Sequence, residues 1–326
     1  MKTIEELQGF YQATLLPELK TLEIQRQRIS QNLMIALLCV GGAILAVFGI
    51  ATVGGLGPGA LPVVFVAGFI GLAVTAIIWS VLTKGYVRQF KERVIGRIVQ
   101  FIDPQLGYRP EIGINQQTYM ASQIFTHRPD RYKAEDLVFG KLGATELMFS
   151  EVHSEYKTTH TDSKGHTHTE WHTIFKGILF VGDFNKHFAG ATFVLPDTAE
   201  GLFGRFGQKL QSWNPSRPDL VRMEDPEFEK LFVVYGTDQI EARYILSPSL
   251  MQRITEFKQK AGRRIYLSFV ASKVFVAVEC QRNLFEPKVF TTLLDFGIVA
   301  QYFGDMQLAL GIVEDLNLNT RIWTKQ

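Results

Sequence analysis

The sequence predicts an α+β protein: a two-helix transmembrane hairpin, then a cytoplasmic antiparallel β-sheet domain packed with helices. Three observations carry this. Ile29 to Thr83 contains no Asp, Glu, Lys, Arg or His, a run long enough for two spans of ~20 apolar residues. From about Tyr119 the apolar period falls from 3.6 to 2, the alternation of half-buried strands. Helical spacing then returns after Pro248 and again over the last apolar stretch, which supplies helices to dock on that sheet.

Composition sets the limits. At 326 residues the chain exceeds one domain of ~100–200 residues. With 20% charged and 46% apolar residues it is neither disordered throughout, collagen-like nor a disulfide scaffold. Thirty-four Lys and Arg against 32 Asp and Glu leave +2, which argues against a nucleic-acid partner. The near-zero mean hydropathy averages a membrane segment with a polar remainder.

Taken in order, residues 1–32 form an N-terminal cytoplasmic amphipathic helix, with Ile4, Leu7, Tyr11, Leu15, Leu19 and Leu22 on one face. Residues 33–83 are the hairpin, with spans at Leu33–Thr52 and Leu61–Leu82 around Gly54-Gly-Leu-Gly-Pro-Gly59. A cleaved signal peptide fits poorly, because some thirty mostly polar residues precede the apolar run. Lys20, Arg26 and Arg28 precede the hairpin and Lys84, Arg88, Lys91, Arg93 and Arg97 follow it, while its connection has no Lys or Arg. Both termini are therefore expected in the cytoplasm. Gly42, Ala46 and Gly49 on the first span and Ala67 and Gly71 on the second suit close helix packing, within the hairpin ahead of self-association. Cys39 and Cys280 lie in different parts of the chain and are expected reduced and buried.

Residues 84–104 read as a juxtamembrane basic amphipathic helix. It lies on anionic headgroups, at about 1 kcal/mol per basic residue, or packs on the first helix, and the two are compatible. Residues 105–326 form the cytoplasmic α+β domain. Strands are expected at Asp136–Gly140, Thr145–Val152, Ile174–Val181, Ala191–Leu195, Lys230–Tyr235 and Ala242–Ser247. A helix capped by Ser247 runs from Pro248 to Lys260, Arg264–Cys280 is a hairpin about Ala271-Ser-Lys273, and Val289–Leu316 is a long helix.

The block Asp225–Pro248 resembles the signature of a family of bacterial membrane proteins catalogued as the "domain of unknown function 3137" family. Phe10–Leu19, Asp130-Arg-Tyr132 with Glu135-Asp136, and Tyr302–Gln307 are similar to it as well. The resemblance implies a multi-pass protein of the bacterial inner membrane with a cytoplasmic domain. It implies no activity and no catalytic residue.

The most unusual stretch is His153–His172, which holds five of the seven histidines. Asp162-Ser-Lys-Gly165 is a natural turn between two strands. Pairing Thr161 with His166 would put His153, His166, His168 and His172 on one face with Glu155 and Glu170, and Tyr156, His160 and Trp171 on the other. Next-nearest strand residues are about 6.6 Å apart, so these four imidazoles are candidate ligands for zinc, the one cofactor the residues suggest. A solvated polar ribbon is the simpler account, and a one-residue slip would split the cluster.

Gly201-Leu-Phe-Gly-Arg-Phe-Gly207 lacks the spacing of a phosphate loop and reads as a linker. Asp130, Arg131, Glu135 and Asp136 are expected to be structural charges ahead of an acid–base group. With no nucleophile, kinase or zincin motif, the expected function is a membrane-anchored interaction or scaffold module. Its partners would be the bilayer, a protein at the cytoplasmic face, or further copies of itself. A metal-dependent enzyme or metal and pH sensor built on residues 153–172 is the alternative.

Overall fold

The computed structural model describes residues 2–53, 60–161, 165, 167–184, 186, 188–197 and 218–319. The chain forms two compact units, one of Lys2–Arg97 with Phe285–Gln301 and one of Ile98–Leu284 with the residues from Tyr302 onward.

In the first unit, α1 (Ile4–Phe10) opens with a capping box in which Thr3 and Glu6 satisfy each other's backbone N–H groups. A π-helical turn at Tyr11–Leu15 leads into α2 (Leu16–Val53), α3 spans Ala60–Phe90, and a second π-helical turn at Lys91–Ile95 leads into α4 (Gly96–Ile102). Both long helices have the length and apolar character to cross a membrane. The Gly54–Gly59 connection lies outside the described residues.

A Cβ added to Gly71 would sit 2.6 Å from Val40 Cγ1, so this glycine lets α2 and α3 approach. One added at Gly42 or Gly49 would meet nothing within 4 Å. Cys39 is exposed on α2 rather than buried.

Most of the basic residues after the second span are held by carboxylates. Lys91, almost wholly buried, lies 2.9 Å from Glu286, and Arg93 and Arg97 lie 3.7 and 2.9 Å from Glu18. Arg93 and Arg97 thus pack this stretch on the first long helix.

Residues 286–295 close the root of this hairpin. Val289–Leu316 was expected to be one helix, but α9 is Phe296–Asp315. The residues ahead of it spend their backbone groups on side chains of the first helices. Arg26 Nη1 donates to the Val289 carbonyl at 2.7 Å, the Leu293 N–H donates to Glu23 Oε2 at 3.0 Å, and the Tyr11 hydroxyl donates to the Leu294 carbonyl at 2.8 Å. Glu23 and Arg26 also hold each other through two hydrogen bonds, of 2.9 and 2.6 Å.

The second unit is built on a nine-stranded antiparallel sheet. Its strands are β1 (Leu106–Arg109), β2 (Arg131–Leu142), β3 (Thr145–Thr161), β4 (Thr167–Asp183), β5 (Ala191–Pro196), β6 (Asp219–Val221), β7 (Phe232–Gly236), β8 (Ile265–Val270) and β9 (Lys273–Glu279). The spatial order is β1-β2-β3-β4-β9-β8-β5-β7-β6.

Central strands are buried on both faces, which explains their continuous apolar runs. On one face Phe175, Leu179, Phe193, Phe275 and Ala277 pack with Ile114, Tyr119 and Ile124 from the segment carrying α5 (Gln116–Ala121). Burial pushes the Tyr119 hydroxyl well above the usual phenol range, and Ser154 hydrogen-bonds it at 2.8 Å. On the other face Ile178, Phe180, Val276 and Val278 are buried too.

The Arg264–Cys280 hairpin forms as expected, with Ala271 and Ser272 in left-handed conformations at its turn. Ala242–Ser247 is not a strand. Its first four residues lie in the helix α7 (Gln239–Ile245), whose start is fixed by Asp238 accepting hydrogen bonds from the Ile240 and Glu241 N–H groups. The short helix α6 (Pro226–Glu229) precedes β7. Helix α8 (Pro248–Ala261) follows Ser247, whose side chain makes no capping bond, and ends at Gly262 in the left-handed region.

Candidate functional site

The outer halves of β3 and β4 form a two-stranded ribbon that leaves the sheet. The pairing of β2 with β3 stops at Arg131↔Glu155, and that of β4 with β9 stops at Gly177↔Glu279. Gly177 permits the departure. Its φ is +155°, and an added Cβ would lie 2.1 Å from the Val278 carbonyl oxygen. A bulge follows where Ser154 pairs with Phe175 and Glu155 with Thr173.

Beyond the bulge Tyr156 faces His172, Thr158 faces Glu170, His160 faces His168 and Thr161 faces Thr167. This is one residue out of step with the expected Thr161–His166 pairing, and it redistributes the histidines. His160, His168 and His172 share a face with Tyr156, Thr158 and Glu170. His153 lies on the opposite face beside Glu155, 3.8 Å away. His166 lies outside the described residues. The four predicted ligands are therefore not brought together: His168 and His172 share a face, without His153. Among the described residues no group of three or more His, Cys, Asp or Glu could hold a metal ion.

Each face instead carries a packed aromatic group. His172 stacks on Tyr156 at 5.0 Å, Tyr156 stacks on His127 at 4.9 Å, and the Thr158 hydroxyl is 2.8 Å from His172 Nε2. On the other face Arg131 lies 4.0 Å from the Trp171 ring centroid and 3.2 Å from Glu155. Sequence reasoning missed Thr158 and His127, because cross-strand neighbours depend on a register that periodicity does not set.

The acidic group beside the ribbon is dispersed. Asp130 accepts from the Lys157 N–H, Glu135 pairs with Lys133, and Asp136 is buried at a bulge in β2 with φ +61°. Its N–H donates to the Pro110 carbonyl, and the Tyr108 hydroxyl donates to its carboxylate. These contacts stitch the bulge to β1 and to the chain just after it. An open groove of about 880 Å³ near β2–β4 is lined by Phe139, Met148 and Val181 with Lys141, Asp183 and Lys273. The Gly201–Gly207 stretch lies outside the described residues.

Fold and ribbon define a class: an antiparallel sheet domain with a projecting two-stranded arm, carried by a chain with two long apolar helices. Residues 173–318 match the family described as "Protein of unknown function (DUF3137)". The match contains the Asp225–Pro248 block and Tyr302–Gln307. Phe10–Leu19 and Asp130–Asp136 lie before it. No curated protein matches the chain. Among solved structures it is similar to the mycobacterial trehalose monomycolate transport factor A, TtfA, at 11% identity and a TM-score of 0.33. That likeness covers 71% of this chain and 99% of the other.

Proposed function

We propose that the protein is a membrane-anchored interaction module of a bacterial inner membrane, multi-pass, with both termini in the cytoplasm and the ribbon as its contact element. The observation that carries this reading is the apolar belt of α2 and α3. Leu45 is 72% exposed, Phe65 and Phe69 are each 76% exposed, and Leu38, Ile50 and Leu72 add to a surface that water cannot stabilise and acyl chains can. The absence of Lys and Arg between the spans supports the orientation. Such an anchor leaves the sheet domain and its ribbon in the cytoplasm, available to a protein partner or a second copy. An alkaline phosphatase fused after Gln326 should be inactive and a cytoplasmic fluorescent reporter there bright. The reverse pattern would reject the orientation and the intracellular module with it.

The direct opposition of His160 and His168 favours a second reading, a metal- or pH-responsive ribbon. Opposed strand residues have Cβ atoms ~4.5–5.5 Å apart, so two neutral imidazoles can share one zinc ion while protons compete for the same nitrogens. Zinc should then slow proteolysis of residues 153–172 at about pH 7.5 and much less at about pH 5.5. His160→Ala with His168→Ala should remove the protection. Equal cleavage with and without zinc would leave the ribbon a plain polar arm.

A further inference from the structure

The root of the hairpin holds an apolar residue where a soluble protein would place a polar one. Between buried Val289 and buried Leu293, Phe290 is 57% exposed. Its neighbours are fixed: Val289 by Arg26, Leu293 by Glu23, Leu294 by Tyr11. The segment is therefore held rigidly while Phe290 is pushed outward. Its ring lies 5.6 Å from that of Trp79 on α3, itself 41% exposed. Trp79 continues the apolar belt through exposed Ile77 and Val81, and Lys84, the first charge after the span, is about 7.5 Å further along the axis at 1.5 Å per residue. Lys288, two residues before Phe290, is exposed as well. Trp79, between an acyl-facing surface and exposed lysines, has the setting of the headgroup zone, where amphipathic rings concentrate in membrane proteins, and the apolar Phe290 ring lies against it.

We propose that residues 288–294 form an interfacial wedge, in which Phe290 inserts beside Trp79 at the acyl–headgroup boundary while Lys288 and Lys84 meet anionic lipid headgroups. The wedge rests on the reading of α2 and α3 as a membrane hairpin. It adds a lipid contact made by the C-terminal half of the chain, so that the residues leading into α9 are anchored to the bilayer surface and not only to the helices. The partner is the lipid itself.

Full-length protein reconstituted in vesicles of phosphatidylcholine and phosphatidylglycerol tests it, using two single-tryptophan forms. One retains Trp79, with Trp171, Trp213 and Trp323 replaced by Phe. The other also carries Trp79→Phe and Phe290→Trp. Lipids brominated high on the acyl chain should quench both, and aqueous iodide should quench neither strongly. A tryptophan at 290 quenched by iodide and not by bromolipid, with Trp79 quenched by bromolipid, would overturn the wedge and leave the hairpin intact. Failure of bromolipid to quench either would reject the hairpin as well. Bimane attached through Thr291→Cys, in a Cys39→Ala and Cys280→Ala background, repeats the test with Phe290 unaltered. A blue shift on reconstitution is expected, and a water-like emission would contradict the wedge.

Discussion

Two Arg–Glu pairs set the root of the hairpin against the foot of the ribbon. Arg26 and Glu23 have side chains only 11% and 7% exposed, and each spends a further bond on the chain before α9. Arg131 and Glu155 make one 3.2 Å contact, with Arg131 58% exposed over Trp171. The residue types are the same and the consequences differ. Desolvated charges that also satisfy backbone groups cannot be removed singly without stranding their partners. Where one partner is largely solvated, as Arg131 is although Glu155 is only 15% exposed, water replaces much of the contact.

The largest effect should come from Arg26→Ala. It leaves the Glu23 carboxylate buried without its counter-ion and the Val289 carbonyl without its donor, a destabilisation of about 3–5 kcal/mol. Hydrogen exchange at the Leu293 amide reads it directly, and unchanged protection there would collapse the contrast between the two pairs.

Acid probes the same clasp more gently. The Arg26 guanidinium holds the Glu23 carboxyl below its ordinary range. A depressed carboxylate pKa stabilises the fold at neutral pH, and that contribution fades as pH falls through the folded-state value. Leu293 protection should therefore be flat near neutrality and decline below about pH 4. A decline near pH 6 would implicate another group. Smallest of all, Arg131→Ala should cost less than about 1 kcal/mol while shifting Trp171 fluorescence toward the red. A loss as large as that at Arg26 would mean that the ribbon's foot is as tightly built as the hairpin's root.

The comparison also explains what the sequence conveyed. Both apolar helices and most strands were legible because hydropathy and period are local properties of the chain. Ala242–Ser247 looked like a strand from its apolar content, yet Asp238 supplies a helix start and Ala242 and Ile245 are buried three residues apart. The resemblance on Asp225–Pro248 held, since it rests on contiguous residues. The ribbon was recognisable as a hairpin, but its register was misjudged by one residue, because the bulge opposite Ser154 and Glu155 and the length of the turn decide the pairing. Val289 and Leu293 showed helical spacing and are indeed buried. What stops the helix from starting there is Arg26 and Glu23, more than 260 residues away in sequence.

That separation has a consequence for how the protein is made. With Val289 263 positions after Arg26, a ribosome adding ~5–20 residues per second needs roughly 13–50 s to supply the second after the first. Throughout that interval the helices have been translated but their clasp has not. A nascent or truncated chain that ends before residue 289 has Glu23 and Arg26 paired with each other and Glu23 with Gln27, but lacks the bonds to the Leu293 N–H and the Val289 carbonyl. Closure of the clasp marks a chain whose translation has passed the entire sheet.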